Sequence, residues 1–189
     1  MSFKADFMWG AASAAAQIEG AYNEDGRKNS IWDVLYEGHT KHKDSPHVAC
    51  DHYHRYKEDI ALMKEMGLKY YRLSLSWSRL LPDGTGAINQ KGIDFYNDLF
   101  LELKKAGIEP MVTIYHWDLP YELYRKGGWE NDDSPLWFEE YTKLVVDMFS
   151  DKVKYWMTIN EPNCFIGISY KDARSEEHTS ELQSPLIIS

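Results

Sequence analysis

Apolar positions along the chain switch period in a repeating order. Tyr56, Ile60 and Met63 recur at helical spacing, as do Ile93, Tyr96, Phe100 and Leu103. Trp137, Tyr141, Leu144, Val145 and Met148 make a third, broader stripe. Residues three or four apart share one face of an α-helix, so three amphipathic helices are expected. After each comes a short run rich in aromatic, β-branched or leucine residues: "YYRLSLSW", "MVTIYHW" and "YWMTINE". These runs read as strands. A first strand is expected near residues 7–12.

The alternation is partly an internal repeat. "MKEMGLKYYRLSLSW" (residues 63–77) aligns with "LKKAGIEPMVTIYHW" (residues 103–117), forty residues on. In both copies a helix stops at Gly67 or Gly107, which suits the left-handed position just past a helix end. The third copy, "WFEEYTKLVVDMFSDKVKYWMTINE", is looser. It is preceded by Asp133 and Ser134 with Pro135 in the first turn, a helix-start signal. Helices alternating with strands imply parallel pairing, because each crossover returns the chain to the same end of the sheet. The fold class is therefore α/β. Long loops follow the strands at residues 17–51, 78–90 and 118–133, and loops at strand C-termini build the sites of such folds.

Composition narrows the partners. Acidic residues outnumber basic ones by 30 to 21, and the net charge of −9 repels phosphate backbones and anionic bilayers. Neither nucleic acid nor a membrane is an expected partner. No apolar run reaches the roughly 18 residues of a membrane span. "FMWGAASAAA" reads as strand and loop rather than as a signal-peptide core. Two cysteines, Cys50 and Cys164, make no disulfide framework and fit a reducing, cytoplasmic setting. Aromatic residues, at 14%, suit flat amphipathic ligands such as sugars as well as cores. The last stretch, "RSEEHTSELQSPLIIS", has no amphipathic period, and residues 174–184 resemble a translated sequencing-library adapter. Residues 1–173 are therefore expected to form the folded part and residues 174–189 a non-native, disordered tail.

The strand ends carry the candidate chemistry. In "KYWMTINEP", Pro162 is expected to hold Glu161 extended. That would place Glu161 on the strand face of Tyr155, Met157 and Ile159, where partial desolvation raises a carboxyl pKa and suits a general acid. The plainer alternative is a solvated glutamate at a strand terminus. "YHWDLP" places His116 at a mouth position, where a hydrogen-bonded structural histidine is the plainer reading. "QIEGA" offers Gln17 and Glu19, with turn chemistry as the plainer reading of both. Arg72 is a charge inside an apolar strand, and a buried charge needs a partner, here one distant in sequence. "CDHYH" sets Cys50, Asp51, His52 and His54 close together. No second cluster at zinc-site spacing follows, so a capping segment is expected rather than a metal site. No glycine-rich phosphate cradle or nucleophile elbow is present, and no cofactor is expected.

Five motifs occur in order between about residue 3 and about residue 170: "FMWGAASAAAQIEGAYNEDGRKNSIWD", "YRLSLSWSRLLPDG", "GGW", "VTIYHWDLP" and "YWMTINEP". Together they resemble the N-terminal part of a family 1 β-glucosidase. The resemblance implies a (β/α)8 TIM barrel, truncated here to roughly the first four β/α units. It implies retaining hydrolysis of a small-molecule substrate, a β-glucoside or cello-oligosaccharide. By the same comparison Glu161 is the acid/base, Gln17, His116 and Asn160 hold sugar hydroxyls, and Arg72 sits beside the nucleophile. Trp117, as a substrate contact, and Cys164 fall near the site.

Two departures stand out. Ala16 occupies a position where the family usually has a tyrosine or similarly bulky residue. The nucleophile's Glu-Asn-Gly motif, on the family's seventh strand, occurs nowhere in the 189 residues. Retaining hydrolysis needs two carboxyl groups, so this chain is expected to be inactive alone. The alternatives are a phospho-β-glycosidase of the same family or an inactive half-barrel fragment. A half barrel would leave strands one and four as open edges, with Leu73, Leu75, Val112 and Ile114 as an inner row lacking its facing layer. Self-association through those edges is expected.

Overall fold

The computed structural model describes residues 3–4, 7–39 and 42–166. The expected tail, residues 174–189, lies outside the described residues. In chain order the elements are β1 (Gly10–Ala12), α1 (Ala15–Ile18), α2 (Ile31–His39), α3 (His52–Glu65), β2 (Tyr70–Ser74) and α4 (Trp77–Leu80). Then come α5 (Gln90–Ala106), β3 (Glu109–Tyr115), α6 (Tyr121–Tyr124), α7 (Ser134–Phe149), β4 (Tyr155–Ile159) and α8 (Pro162–Ile166). All neighbouring strands pair in parallel in the order β1-β2-β3-β4. This is the order of the first four units of a (β/α)8 barrel, and β1 and β4 are its open edges.

Local signals fix the element ends. Gly67 and Gly107 follow α3 and α5 with φ of 77° and 76°, the left-handed region that glycine enters without a Cβ clash. Strand β1 is shorter than expected, because it pairs with β2 only from Gly10 opposite Tyr70 to Ala12 opposite Arg72. The approach there is so close that a Cβ on Gly10 would lie 2.3 Å from the Tyr70 carbonyl oxygen. Phe7 and Trp9 stay outside the ladder and pack on each other and on Phe3.

The three helical stripes form the core, with one slip. Ile60, Ile93, Tyr96, Phe100, Leu103, Tyr141 and Val145 are buried. Met148 is 39% exposed, and Phe149, eight residues after Tyr141, takes its place in the core at 0%. Two helical positions compete at the end of a stripe, and the residue two turns on from the most buried aromatic wins.

The expected inner row is corrected. Leu73, Leu75, Val112 and Ile114 are all buried in one cluster with the α3, α5 and α7 stripes, so they face the helices. The opposite face carries the register rows Arg72–Met111–Tyr155 and Ser74–Thr113–Met157. A sheet covered by helices on one side buries its apolar parity there. The unpaired inner face is therefore mixed, polar at Arg72, Ser74 and Thr113 and apolar at Met111 and Met157. Among the described residues, no helix is long and apolar enough to cross a membrane.

Candidate active site

Three neighbouring strands meet at one guanidinium. Arg72 Nε donates to Thr113 Oγ1 at 2.9 Å and its Nη2 donates to Asn160 Oδ1 at 2.6 Å. Asn160 extends β4 by one residue, its backbone N–H donating to the Tyr115 carbonyl at 2.9 Å. From the other side the Trp117 indole donates to the Asn160 carbonyl at 2.8 Å. Asn160 is thus held through its side chain, its N–H and its carbonyl. Trp117 is buried, and its φ of 69° is costly for a residue with a Cβ. Backbone strain of this kind persists only where surrounding contacts over-determine it.

Arg72 has no anionic hydrogen-bond partner among the described residues. Burial pulls its pKa down, and the nearby Glu161 carboxylate opposes that shift. The distant partner expected for Arg72 is present only as two neutral oxygens.

Glu161 differs from expectation. It is exposed, and its φ of 41° is left-handed rather than extended. The chain must turn from the Asn160 ladder bond into α8, which begins at Pro162, and Glu161 alone absorbs that reversal. Strand β4 also shows no alternating burial, because an edge strand beside an uncovered face leaves both parities partly open.

His116 and Gln17 meet elsewhere in the same region. Both line a cavity of about 420 Å³ with Trp32 and Tyr36 in its wall. Burial, then the positive charge of Arg72, hold the His116 imidazole down to about 4, so it is neutral near pH 7. Its buried Nδ1 has no hydrogen-bond partner among the described residues. Arg72 therefore acts on both groups: by hydrogen bond on Asn160 and by charge on His116. A larger cavity, about 760 Å³, lies at the opposite end of the sheet, around Tyr70, Glu109 and Tyr155 where β2, β3 and β4 begin. It holds none of the candidate residues.

Two buried groups were not legible as chemistry in the sequence. Glu19, expected as a turn residue, accepts from Arg79 Nε at 3.0 Å and from the Tyr96 hydroxyl at 2.6 Å, and all three residues are buried. It is a structural ion pair that ties the first loop to α4 and α5. Asp118 is 1% exposed, and neither carboxylate oxygen has a hydrogen-bond partner among the described residues. Burial pushes its carboxyl up to about 8, with Arg27 pulling against Glu19 and Asp33. The clue in sequence was only its place between Trp117 and Leu119. In "CDHYH", His54 pairs with Asp51 and Glu24, and His52 with Asp59, at the start of α3. Cys164 is half-buried against the core, and both cysteines are free thiols.

Known proteins resemble the chain as a whole. The family profile described as Glycosyl hydrolase family 1 matches residues 1–184. Beta-glucosidase A of Acetivibrio thermocellus is 46% identical, over 100% of this chain and 44% of that protein. Aryl-phospho-beta-D-glucosidase BglC of Bacillus subtilis is 51% identical, over 86% of this chain and 35% of that protein. The solved structure of the beta-glucosidase from Thermotoga maritima in complex with deoxynojirimycin superimposes with a TM-score of 0.88 at 47% identity. That superposition covers 91% of this chain and 40% of the Thermotoga chain. The chain thus spans well under half the length of the relatives it matches.

Proposed function

The chain belongs to glycosyl hydrolase family 1, and from that premise we propose that it carries the acid/base half of a retaining β-glucosidase. Its substrates are neutral β-glucosides or cello-oligosaccharides. Glu161 is the acid/base. Gln17, His116 and Asn160 hold hydroxyls of the terminal sugar, and Trp117 acts through Asn160, whose carbonyl it fixes. Arg72 stands where the nucleophilic carboxylate comes to rest. The free thiols of Cys50 and Cys164 support a cytoplasmic setting.

The observation that carries this reading is the guanidinium of Arg72. It is half-buried on the inner face and, among the described residues, hydrogen-bonded only to neutral oxygens and in the field of the Glu161 carboxylate. A carboxylate supplied from outside this chain would meet a fixed positive charge there, which keeps such a group ionised and able to attack.

In the proposed reaction that carboxylate attacks the anomeric carbon while the bond to the leaving oxygen breaks. Glu161 gives its proton to that oxygen. A water then loses its proton to Glu161 and attacks the same carbon, which frees the sugar and restores both carboxyl groups. The exposure of Glu161 in this chain fits a residue whose facing wall comes from elsewhere in the barrel.

A neutral sugar is favoured over a phosphorylated one. The cavity beside Gln17 is lined by Asp44 and by no lysine or arginine among the described residues. His116 adds no charge near neutral pH. A phosphate there would lack the cationic donors that such groups need.

The test is complementation. The chain alone should release no chromophore from an aryl β-glucoside above a mock purification. Co-expressed with the last four β/α units of a family member, it should gain turnover that Glu161→Ala lowers, most of all on glucosides with poor leaving groups. Turnover by the purified chain alone that depends on Glu161 would overturn the assignment of the nucleophile to a part outside it.

A further inference from the structure

Asp118 is a buried carboxyl that the proposed reaction does not use. It is 1% exposed, so this chain's own residues close it off, and neither of its oxygens has a hydrogen-bond partner among the described residues. The fields that reach it come from Arg27 in the first loop, Asp33 on α2 and Glu19 after α1, and it bears in turn on the Tyr141 hydroxyl of α7. Those charges balance without it. Arg27 pairs with Asp33 at 2.8 Å and Arg79 with Glu19 at 3.0 Å, and all four residues are buried. Each nitrogen of Arg27 already donates, to Asp33, to the Tyr22 carbonyl and to Ser76. An ionised Asp118 would be a third buried anion with no cation of its own, which is a costly state.

The chain on either side of Asp118 is held unequally. Downstream, the Leu119 carbonyl accepts from the Ile31 N–H at 2.9 Å, and the Tyr121 N–H donates to the Asn29 carbonyl at 2.9 Å. Upstream lies Trp117, with its left-handed φ of 69° and its indole donating to the Asn160 carbonyl at 2.8 Å. A strained residue relaxes first when the contacts that over-determine it change. A carboxylate drawn toward water or toward Arg27 would therefore move the peptide it shares with Trp117, rather than the pinned stretch after it.

Resting on the reading of Asn160 as a sugar ligand beside the acid/base, we propose that Asp118 is a positioning residue that acts through Trp117. Its neutral carboxyl keeps the indole on the Asn160 carbonyl, and its ionisation releases that bond. The site then has an alkaline limit of its own, separate from the titration of Glu161. Burial, the largest influence on Asp118, outweighs its own backbone N–H and Arg27 and sets the midpoint at about 8.

Two spectra of the 189-residue chain test this between about pH 6.5 and about pH 9.5, an interval that brackets the midpoint. Infrared spectroscopy should show a protonated-carboxyl stretch that fades as pH rises and is missing from Asp118→Asn. Ultraviolet resonance Raman reads the indole N–H hydrogen bond of Trp117 as the difference between a chain and its Trp117→Phe variant. That bond should weaken as the carboxyl band fades and persist to the alkaline end in Asp118→Asn, while far-ultraviolet circular dichroism stays constant. In the complemented enzyme, Glu161→Ala rescued by azide has no acid/base to titrate. Its kcat on an activated aryl glucoside should still fall roughly tenfold across the interval, as misplacement of a sugar ligand predicts. Adding Asp118→Asn should remove that fall. The absence of a carboxyl band that Asp118→Asn abolishes overturns the proposal, because Asp118 is then ionised in the folded chain. An indole bond indifferent to the carboxyl's titration overturns it too, as does a bond lost only together with the far-ultraviolet signal. A fall in kcat that Asp118→Asn leaves intact assigns the alkaline limit to another group. Both spectra are read on the chain itself, so they judge Asp118 separately from the assignment of Glu161.

Discussion

Arg72 and Asn160, 88 residues apart, are joined by a 2.6 Å hydrogen bond from the guanidinium to the amide oxygen. The bond ties the middle of β2 to the end of β4 across β3, whose Thr113 takes a second guanidinium donor. It orients the amide beside Glu161 and, among the described residues, leaves the charge of Arg72 without an anionic hydrogen-bond partner. Arg79 offers the contrast: it is 1% exposed and paired with Glu19 at 3.0 Å. Among the described residues one arginine meets two neutral oxygens, and the other is paired with a carboxylate within the core.

These two arginines should respond unequally to removal. Breaking a buried pair strands the remaining charge, so Arg79→Met should cost about 3–5 kcal/mol in urea unfolding of the chain. Arg72→Met strands no charge among the described residues but leaves the buried Thr113 hydroxyl and Asn160 amide oxygen without their donor, and should cost about 1–3 kcal/mol. In the complemented enzyme the same Arg72→Met change should abolish turnover. A large stability loss at Arg72, matching that at Arg79, would mean that Arg72 is a structural residue.

The state of the chain in solution is the next expectation. Strands β1 and β4 expose unpaired backbone groups, and the inner face between them is uncovered. Phe3, Phe7 and Trp9 add an exposed aromatic cluster near the start of β1. Sizing chromatography with light scattering should give an oligomer or aggregate. The driving surface is the edges and this cluster, since Leu73, Leu75, Val112 and Ile114 are already covered by helices. A sharp monomer peak would contradict this.

How much of this was legible in the sequence depends on the range of the signal. The helical stripes and the glycine stops at Gly67 and Gly107 are local, and the fold order follows from them. The face of β2 was not legible. "YYRLSLSW" alternates, with Tyr71, Leu73, Leu75 and Trp77 on one face and Tyr70, Arg72, Ser74 and Ser76 on the other, but alternation says only that the two faces differ and not which of them meets the helices. Glu19 and Arg79 are 60 residues apart, and nothing near Glu19 marks it as half of an ion pair. The backbone at Glu161 was misjudged because Pro162 restricts its predecessor only against the right-handed helical region. The need to enter α8 directly from the Asn160 ladder bond selected a left-handed residue instead. The structure brings Asn160 and His116 within reach of the charge of Arg72, and Gln17 meets His116 in the neighbouring cavity.

Glu161 should show the signature of an acid/base in the complemented enzyme. Replacement by alanine should slow substrates with poor leaving groups by roughly 10²–10⁴-fold, the usual worth of proton transfer. Activated aryl glucosides need little proton assistance in the first step and should lose less there. Azide needs no deprotonation, so it should rescue the alanine variant on activated substrates and yield a β-glucosyl azide. Equal losses on all substrates, or an α-linked azide product, would remove Glu161 from the role.

The last prediction joins two neighbours with opposite pH behaviour. His116 is held down to about 4 from 6.5, by burial first and by Arg72 second. The unfolded chain gains a proton there between pH 6.5 and 4 that the native state refuses, so stability is lost as pH falls through that window. Asp118 is pushed up to about 8 from 3.8, chiefly by burial. Between those values the native state keeps a proton that the unfolded chain releases, so its contribution falls as pH rises. Each slope is at most about 1.4 kcal/mol per pH unit. Between pH 4 and 6.5 the two oppose and largely cancel. From 6.5 to 8 Asp118 acts without that opposition, and urea unfolding followed by tryptophan fluorescence should lose about 2 kcal/mol over the interval. Exposed His54, raised chiefly by its hydrogen bond to Asp51, drifts in the same direction, and the Asp118→Asn variant separates the two. That variant should flatten most of the decline. His116→Gln should leave the Asp118 slope unopposed, so the variant gains stability as pH falls from 6.5 toward 4.5. A wild-type curve that is flat from 6.5 to 8, or an unchanged decline in Asp118→Asn, would show that Asp118 is ionised and paired in the folded chain.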